Sequence, residues 1–106
     1  MIKVLLVDDQ SLLRMGFRMI LDAEPDIEVA GEAADGATGV SMTSALHPDV
    51  VLMDVRMPGM NGIQATAAIT AAAPASKILI LTTFDLDEYV FAGLKAGASE
   101  IGRAHV

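Results

Sequence analysis

The chain has no cysteine, which excludes disulfides and thiolate-bound metals and is compatible with a reducing compartment. It has no run of apolar residues long enough to span a membrane. Met1-Ile2-Lys3-Val4 enters a strand pattern directly, so no leader is expected. Basic residues are few: seven lysines and arginines stand against 14 aspartates and glutamates, a net charge of -7 with no basic stripe. That balance disfavours nucleic acid as a direct partner and suits a site that attracts cations. There is also no internal repeat, linker or low-complexity tract. What remains is 106 residues, 53% of them apolar, enough for one domain around one core.

The stretch from Val50 to Gly62, VVLMDVRMPGMNG, organises the rest. Val50 to Met53 is an unbroken apolar run, as expected for a strand covered on both faces in a parallel sheet, and Asp54 falls where that strand emerges. Pro58-Gly59 suits a type II turn, and Asn61 can cap the alanine-rich helix that follows. Asp54 is thereby placed at a strand-to-helix loop.

In chain order, Ile2 to Val7 is a second apolar run, broken only by Lys3, and it ends in Asp8-Asp9. Ser11 to Ala23 reads as a helix with Leu13, Phe17 and Ile20 on its apolar face and Leu12, Met15 and Met19 beside them, stopping before Pro25. Ile27 to Ala30 is a short strand. Asp35 to Leu46 is a helix of weak propensity, closed by His47-Pro48. A helix from Asn61 to about Ala73 precedes Pro74, and Ile78 to Leu81 forms a fourth buried strand ending at Thr82-Thr83. Asp85 with Glu88 makes a capping-box pattern for a helix to Ala96, with Gly97 as its C-cap. The seven methionines read as core filling.

Strands alternating with helices imply a doubly wound α/β sheet with right-handed crossovers, whose functional crevice lies at the carboxyl ends of the strands. Asp8, Asp9, Asp54 and Thr82 are all placed there. Three carboxylates converging without a cation would repel one another and be partly protonated. Oxygen ligands of this kind fit Mg²⁺, for which one or two carboxylates suffice. His47, His105 and Thr83 carry no such role: the histidines are expected in solvent and Thr83 to be satisfied by backbone.

VDDQ at 7 to 10, MDVRMPGMNG at 53 to 62, and LTTFD with LKAGAS between 81 and 99 resemble the receiver domain of bacterial two-component response regulators, most closely the NarL/FixJ type. The resemblance covers residues 1 to 99 and implies the flavodoxin-like strand order 2-1-3-4-5. It implies that Asp54 is the phosphoacceptor, that Asp8 and Asp9 organise Mg²⁺ with a backbone carbonyl from Arg56, and that Thr82 is the switch hydroxyl. It further implies a cytoplasmic signalling protein, not an enzyme in its own right, that takes a phosphoryl group from a sensor histidine kinase to control an output, typically transcription. The chemistry fits those residue types. A carboxylate attacks a phosphoryl group to give an acyl phosphate when metal and donors neutralise the equatorial oxygens. The added charge can then recruit a hydroxyl and transmit the change outward.

After Ser99 the chain departs from the family. Residues 100 to 106, Glu100-Ile101-Gly102-Arg103-Ala104-His105-Val106, put Ala104 where the family has a lysine, with Arg103 on the opposite face unless the register slips. The expectation is a truncated chain with a degenerate fifth strand, a non-family tail, no fifth helix and no DNA-binding output domain. An uncovered sheet face would then favour self-association. A rival reading needs no lysine: a degenerate receiver acting only as a protein interaction module. An aspartyl-phosphate hydrolase wants a second acid two residues past its nucleophile, which Asp54-Val55-Arg56 lacks. A flavin binder wants a Ser/Thr/Gly-rich loop where this chain has Asp8-Asp9-Gln10.

Overall fold

The computed structural model describes residues 1–54, 59–82 and 99–103, with residues 82 and 100–103 described by backbone alone. The elements run β1 (Ile2–Val7), α1 (Ser11–Asp22), β2 (Ile27–Ala33), α2 (Gly36–Leu46), β3 (Val50–Asp54), α3 (Gly62–Ala72), β4 (Lys77–Thr82) and β5 (Glu100–Arg103). They form one five-stranded sheet in the expected order β2-β1-β3-β4-β5, and all four pairings are parallel. Strand order reverses at β1, between β2 and β3, and the carboxyl ends beside such a reversal are where sheets of this kind place their ligands.

Each central strand sends alternate residues to opposite faces. Leu5, Val7, Val51, Met53, Ile78 and Ile80 pack with Ala65 and Ile69 of α3 on one face, and Val40, Met42 and Leu46 of α2 close over them. Val4, Leu6 and Val29 lie on the other, against Phe17 and Leu21 of α1, with Val50 and Leu52 beside them. This two-sided cover is why β1 and β3 read as continuous apolar runs.

The helix ends follow from their capping chemistry. Asp35 caps α2 by accepting from the Thr38 N–H at 2.7 Å, and His47 ends it in the left-handed region at φ 49°, its N–H donating to the Thr43 carbonyl. Asn61 and Gln64 form a reciprocal capping box on α3, Asn61 accepting from Gln64 N–H at 2.9 Å and Gln64 accepting from Asn61 N–H at 3.0 Å. Gly59 has φ +71°, in the left-handed region that glycine enters without steric cost.

Three expectations need correction. β2 continues to Ala33 rather than ending at Ala30, because pairing with β1 resumes beyond a register shift between Val4 and Leu5, and that pairing rather than apolar content extends it. The inward stripe of α1 is Leu13, Phe17 and Leu21, four residues apart, which leaves Ile20 67% exposed. The methionines are not mainly core: Met53 is buried and Met42 half-buried, whereas Met15 and Met19 are 58% and 70% exposed. Glu100 to Arg103 pairs with β4 from Leu79↔Glu100 to Thr82↔Arg103. The helix expected from Asp85 to Ala96, together with Arg56, Pro58, Thr83, Ala104 and His105, lies outside the described residues.

Candidate functional site

β1 and β3 are adjacent and in register at Val7↔Met53, so the residue after each, Asp8 and Asp54, reaches the carboxyl edge of the sheet at the same level. Asp8 is 5% exposed. Its N–H donates to the Ala33 carbonyl at 3.0 Å and its Oδ1 accepts from the Gln10 N–H at 2.8 Å. Asp9 is exposed and Asp54 half-buried. One carboxylate oxygen from each of Asp8, Asp9 and Asp54 lies within 4.8 Å of the others, close enough for all three to hold one cation.

The electrostatics favour such a cation. Burial pushes the Asp8 carboxyl above its usual range, the Gln10 N–H opposes that, the Asp9 charge adds to it, and the Arg14 guanidinium pulls back. The balance leaves a buried carboxylate beside a second negative charge, a cost that a hard cation relieves. The donors are all carboxylate oxygens, a set that suits Mg²⁺ rather than a soft metal.

The surrounding elements hold this edge in place. α2 begins against the loop that follows β3: a Cβ on Gly36 would lie 2.3 Å from the Met60 carbonyl oxygen, so only glycine lets the two approach this closely. Thr82, at the end of β4, pairs by backbone with Arg103. His47 is exposed, as expected.

Sequence reasoning overlooked three residues beside the site. Arg14 donates from Nη1 to the carbonyl of Asp8 and from Nε to Glu32 Oε1 at 3.2 Å, while Arg18 donates from Nη1 to Glu32 Oε2 at 2.6 Å. Arg14 and Arg18 are the only basic residues of α1, one turn apart in a stretch from Leu12 to Leu21 that is otherwise apolar. That spacing was a signal that both reach one partner.

Residues 4–101 match the response regulator receiver domain. The chain belongs to that family. It is 52% identical over 97 residues to the uncharacterized transcriptional regulatory protein YxjL of Bacillus subtilis, covering 92% of this chain and 44% of the relative. It is 50% identical over 98 residues to the transcriptional regulatory protein LiaR of the same organism, covering 92% and 46%. The chain thus spans less than half the length of these curated relatives. Among solved structures, the signal receiver domain of NarL from Mycobacterium tuberculosis superposes with a TM-score of 0.92 at 34% identity, covering 96% of this chain and 82% of that one. The isolated receiver domain of RcsB from Salmonella enterica serovar Typhimurium, solved in the presence of the phosphomimetic BeF3-, gives 0.85 at 25% identity, covering 94% and 75%. The fold is the receiver fold, and receiver domains bind Mg²⁺ at an acidic cluster of the kind that Asp8, Asp9 and Asp54 form here.

Proposed function

We propose that this chain is the phosphoacceptor module of a two-component response regulator, cytoplasmic, receiving a phosphoryl group from the phosphohistidine of a sensor kinase onto Asp54. The observation that carries the reading is the convergence of Asp8, Asp9 and Asp54 at the carboxyl edge of β1 and β3 in a chain of this family. A carboxylate oxygen of Asp54 attacks phosphorus as the bond from phosphorus to the donor nitrogen breaks, its electron pair returning to the imidazole, and an acyl phosphate results. Asp8, Asp9 and Asp54 would hold Mg²⁺, with the Arg56 carbonyl as a further ligand, and the ion supplies neutralisation of the phosphoryl oxygens when bound. Burial of Asp8 excludes water from the inner side of the site, and Thr82 serves as the hydroxyl that answers the new charge.

The receiver unit in this reading spans residues 1–99. Residues 100–106 diverge in sequence, although Glu100 to Arg103 still pair as β5. The output of the whole protein is transcriptional control, as the names of YxjL and LiaR support. Receiver domains are mainly signalling modules, and we assign no turnover of an external substrate to this chain. No helix among the described residues is long and apolar enough to cross a membrane.

One feature favours a second reading, an interaction module without productive switching. Ala104 stands where the family has a lysine, and a phosphoryl group shifts a conformational equilibrium only through contacts that differ between the two states. Incubation with acetyl phosphate and Mg²⁺, followed by intact mass measurement, separates the cases. The proposed function requires the mass of one phosphoryl group on the wild type and none on Asp54→Asn or after chelation. Labelled protein with an unchanged amide spectrum along β4 supports the second reading, and unlabelled wild type contradicts the first.

A further inference from the structure

We infer that Arg14 is a positioning residue for the acidic pair, an arginine clamp that fixes the peptide between Asp8 and Asp9 from outside the metal site. The inference rests on the proposal that Asp8 and Asp9 hold Mg²⁺.

The turn from β1 into α1 is tied down on every side except one. Asp8 N–H is held by the Ala33 carbonyl and Asp8 Oδ1 by the Gln10 N–H. The Asp8 carbonyl lies past the end of β1, beyond the last ladder pair at Val7, so the sheet gives it no partner. Arg14, one turn into α1, donates to that oxygen. A carbonyl and the following N–H share one rigid plane, so holding the oxygen sets the direction in which the chain leaves for Asp9. Asp9 is exposed, and packing does not orient it. Its aim toward Asp8 and Asp54 therefore depends on that plane.

The clamp is itself held, and its charge is balanced. Arg14 donates to one oxygen of Glu32 on β2, and Arg18 donates to the other. Arg18 also pairs with Asp22 at 3.6 Å. Two arginines and two acids make a group that is neutral as a whole, which offsets the repulsion between the nearby guanidinium and a metal ion. Arg14 also takes the backbone oxygen of Asp8 rather than a carboxylate oxygen, so it does not compete with a cation for the Asp8 carboxylate. Arg14 reaches the Asp8 carbonyl through Nη1 and Glu32 through Nε, two nitrogens held apart in one rigid plane, whereas an ammonium gathers its donors on a single nitrogen at the end of a flexible stem.

The test is Mg²⁺ titration of the metal-free chain, followed by the amide resonances of Asp9 and Gln10, for wild type, Arg14→Ala, Arg14→Lys and Arg18→Ala. Arg14→Ala is expected to weaken Mg²⁺ binding about tenfold, the loss typical of a removed outer-shell partner. It should also displace the Asp9 amide resonance before any metal is added. Arg14→Lys keeps the charge without the fork and should remain weak. Arg18→Ala, which loses only exposed ion pairs, should stay within about twofold of wild type. Wild-type affinity in Arg14→Ala, full recovery in Arg14→Lys, or equal losses in Arg14→Ala and Arg18→Ala would each overturn the clamp. If Arg14→Ala does not fold, Arg14→Lys carries the decision. A wild type that binds no Mg²⁺ defeats the metal-site reading itself, an outcome distinct from a wild type that binds and an Arg14→Ala that binds equally.

Discussion

A buried aspartate beside a second aspartate is a burden on a metal-free fold, and Asp8 is where this molecule carries it. Burial disfavours its charged form first, and the Asp9 carboxylate, with an oxygen within 4.8 Å, adds to that cost. Asp8→Asn keeps an oxygen for the Gln10 N–H and removes the charge. The metal-free variant should be more stable than wild type by about 1 kcal/mol, roughly 4 °C in thermal midpoint, and should lose Mg²⁺ binding. Calorimetry with and without the ion checks both; a destabilised Asp8→Asn would mean that the carboxylate is a structural hydrogen-bond acceptor first. Gly36 makes the complementary case. Helix propensity alone predicts that Gly36→Ala stabilises α2. The Met60 carbonyl, 2.3 Å from where that Cβ would sit, predicts the reverse, a loss of roughly 1 to 3 kcal/mol by overpacking, measurable in a denaturant melt.

At the scale of elements, the ion-paired link between α1 and β2 has a definite pH dependence. The hydrogen bond from Arg18, helped by Arg14, holds the Glu32 carboxyl below its usual value of 4.5. A carboxylate whose folded value is depressed contributes stability that is present above the unfolded value and lost as pH falls through the folded one. The gap in thermal midpoint between wild type and Glu32→Gln should therefore be widest near neutral pH and close in acid below the ordinary glutamate range; a gap independent of pH would show that shape rather than charge matters at this position. The same two elements mark the limit of what the sequence discloses. β1, β3 and β4 are legible because burial on both faces makes their runs apolar. The second half of β2, Gly31-Glu32-Ala33, is not apolar, and only its partner β1 makes it a strand. In α1, Leu13, Phe17 and Ile20 fit a helical stripe as well as Leu13, Phe17 and Leu21 do, and packing against Val4, Leu6 and Val29 decides between them. The spacing of Arg14 and Arg18 signals a shared acidic partner, but the second contact of Arg14, the backbone oxygen of Asp8, leaves no mark in side-chain periodicity.

For the whole molecule, the order β2-β1-β3-β4-β5 converts three sequence positions into one site. Asp8 and Asp54 are 46 residues apart and meet because β1 and β3 are neighbours in register. That meeting was legible, since both aspartates terminate apolar runs and strand ends share one edge of a parallel sheet. The neutral clamp behind it was not, because it depends on which face of α1 turns toward β2. The central claim is that Asp54, rather than its two acidic neighbours, becomes the acyl phosphate. Borohydride reduces an acyl phosphate of aspartate to homoserine, which peptide mass spectrometry locates. After treatment with acetyl phosphate and Mg²⁺, the account predicts homoserine at position 54 alone, absent when Mg²⁺ is chelated. Homoserine at position 8 or 9, or a phosphoryl label that persists in Asp54→Asn, would contradict it.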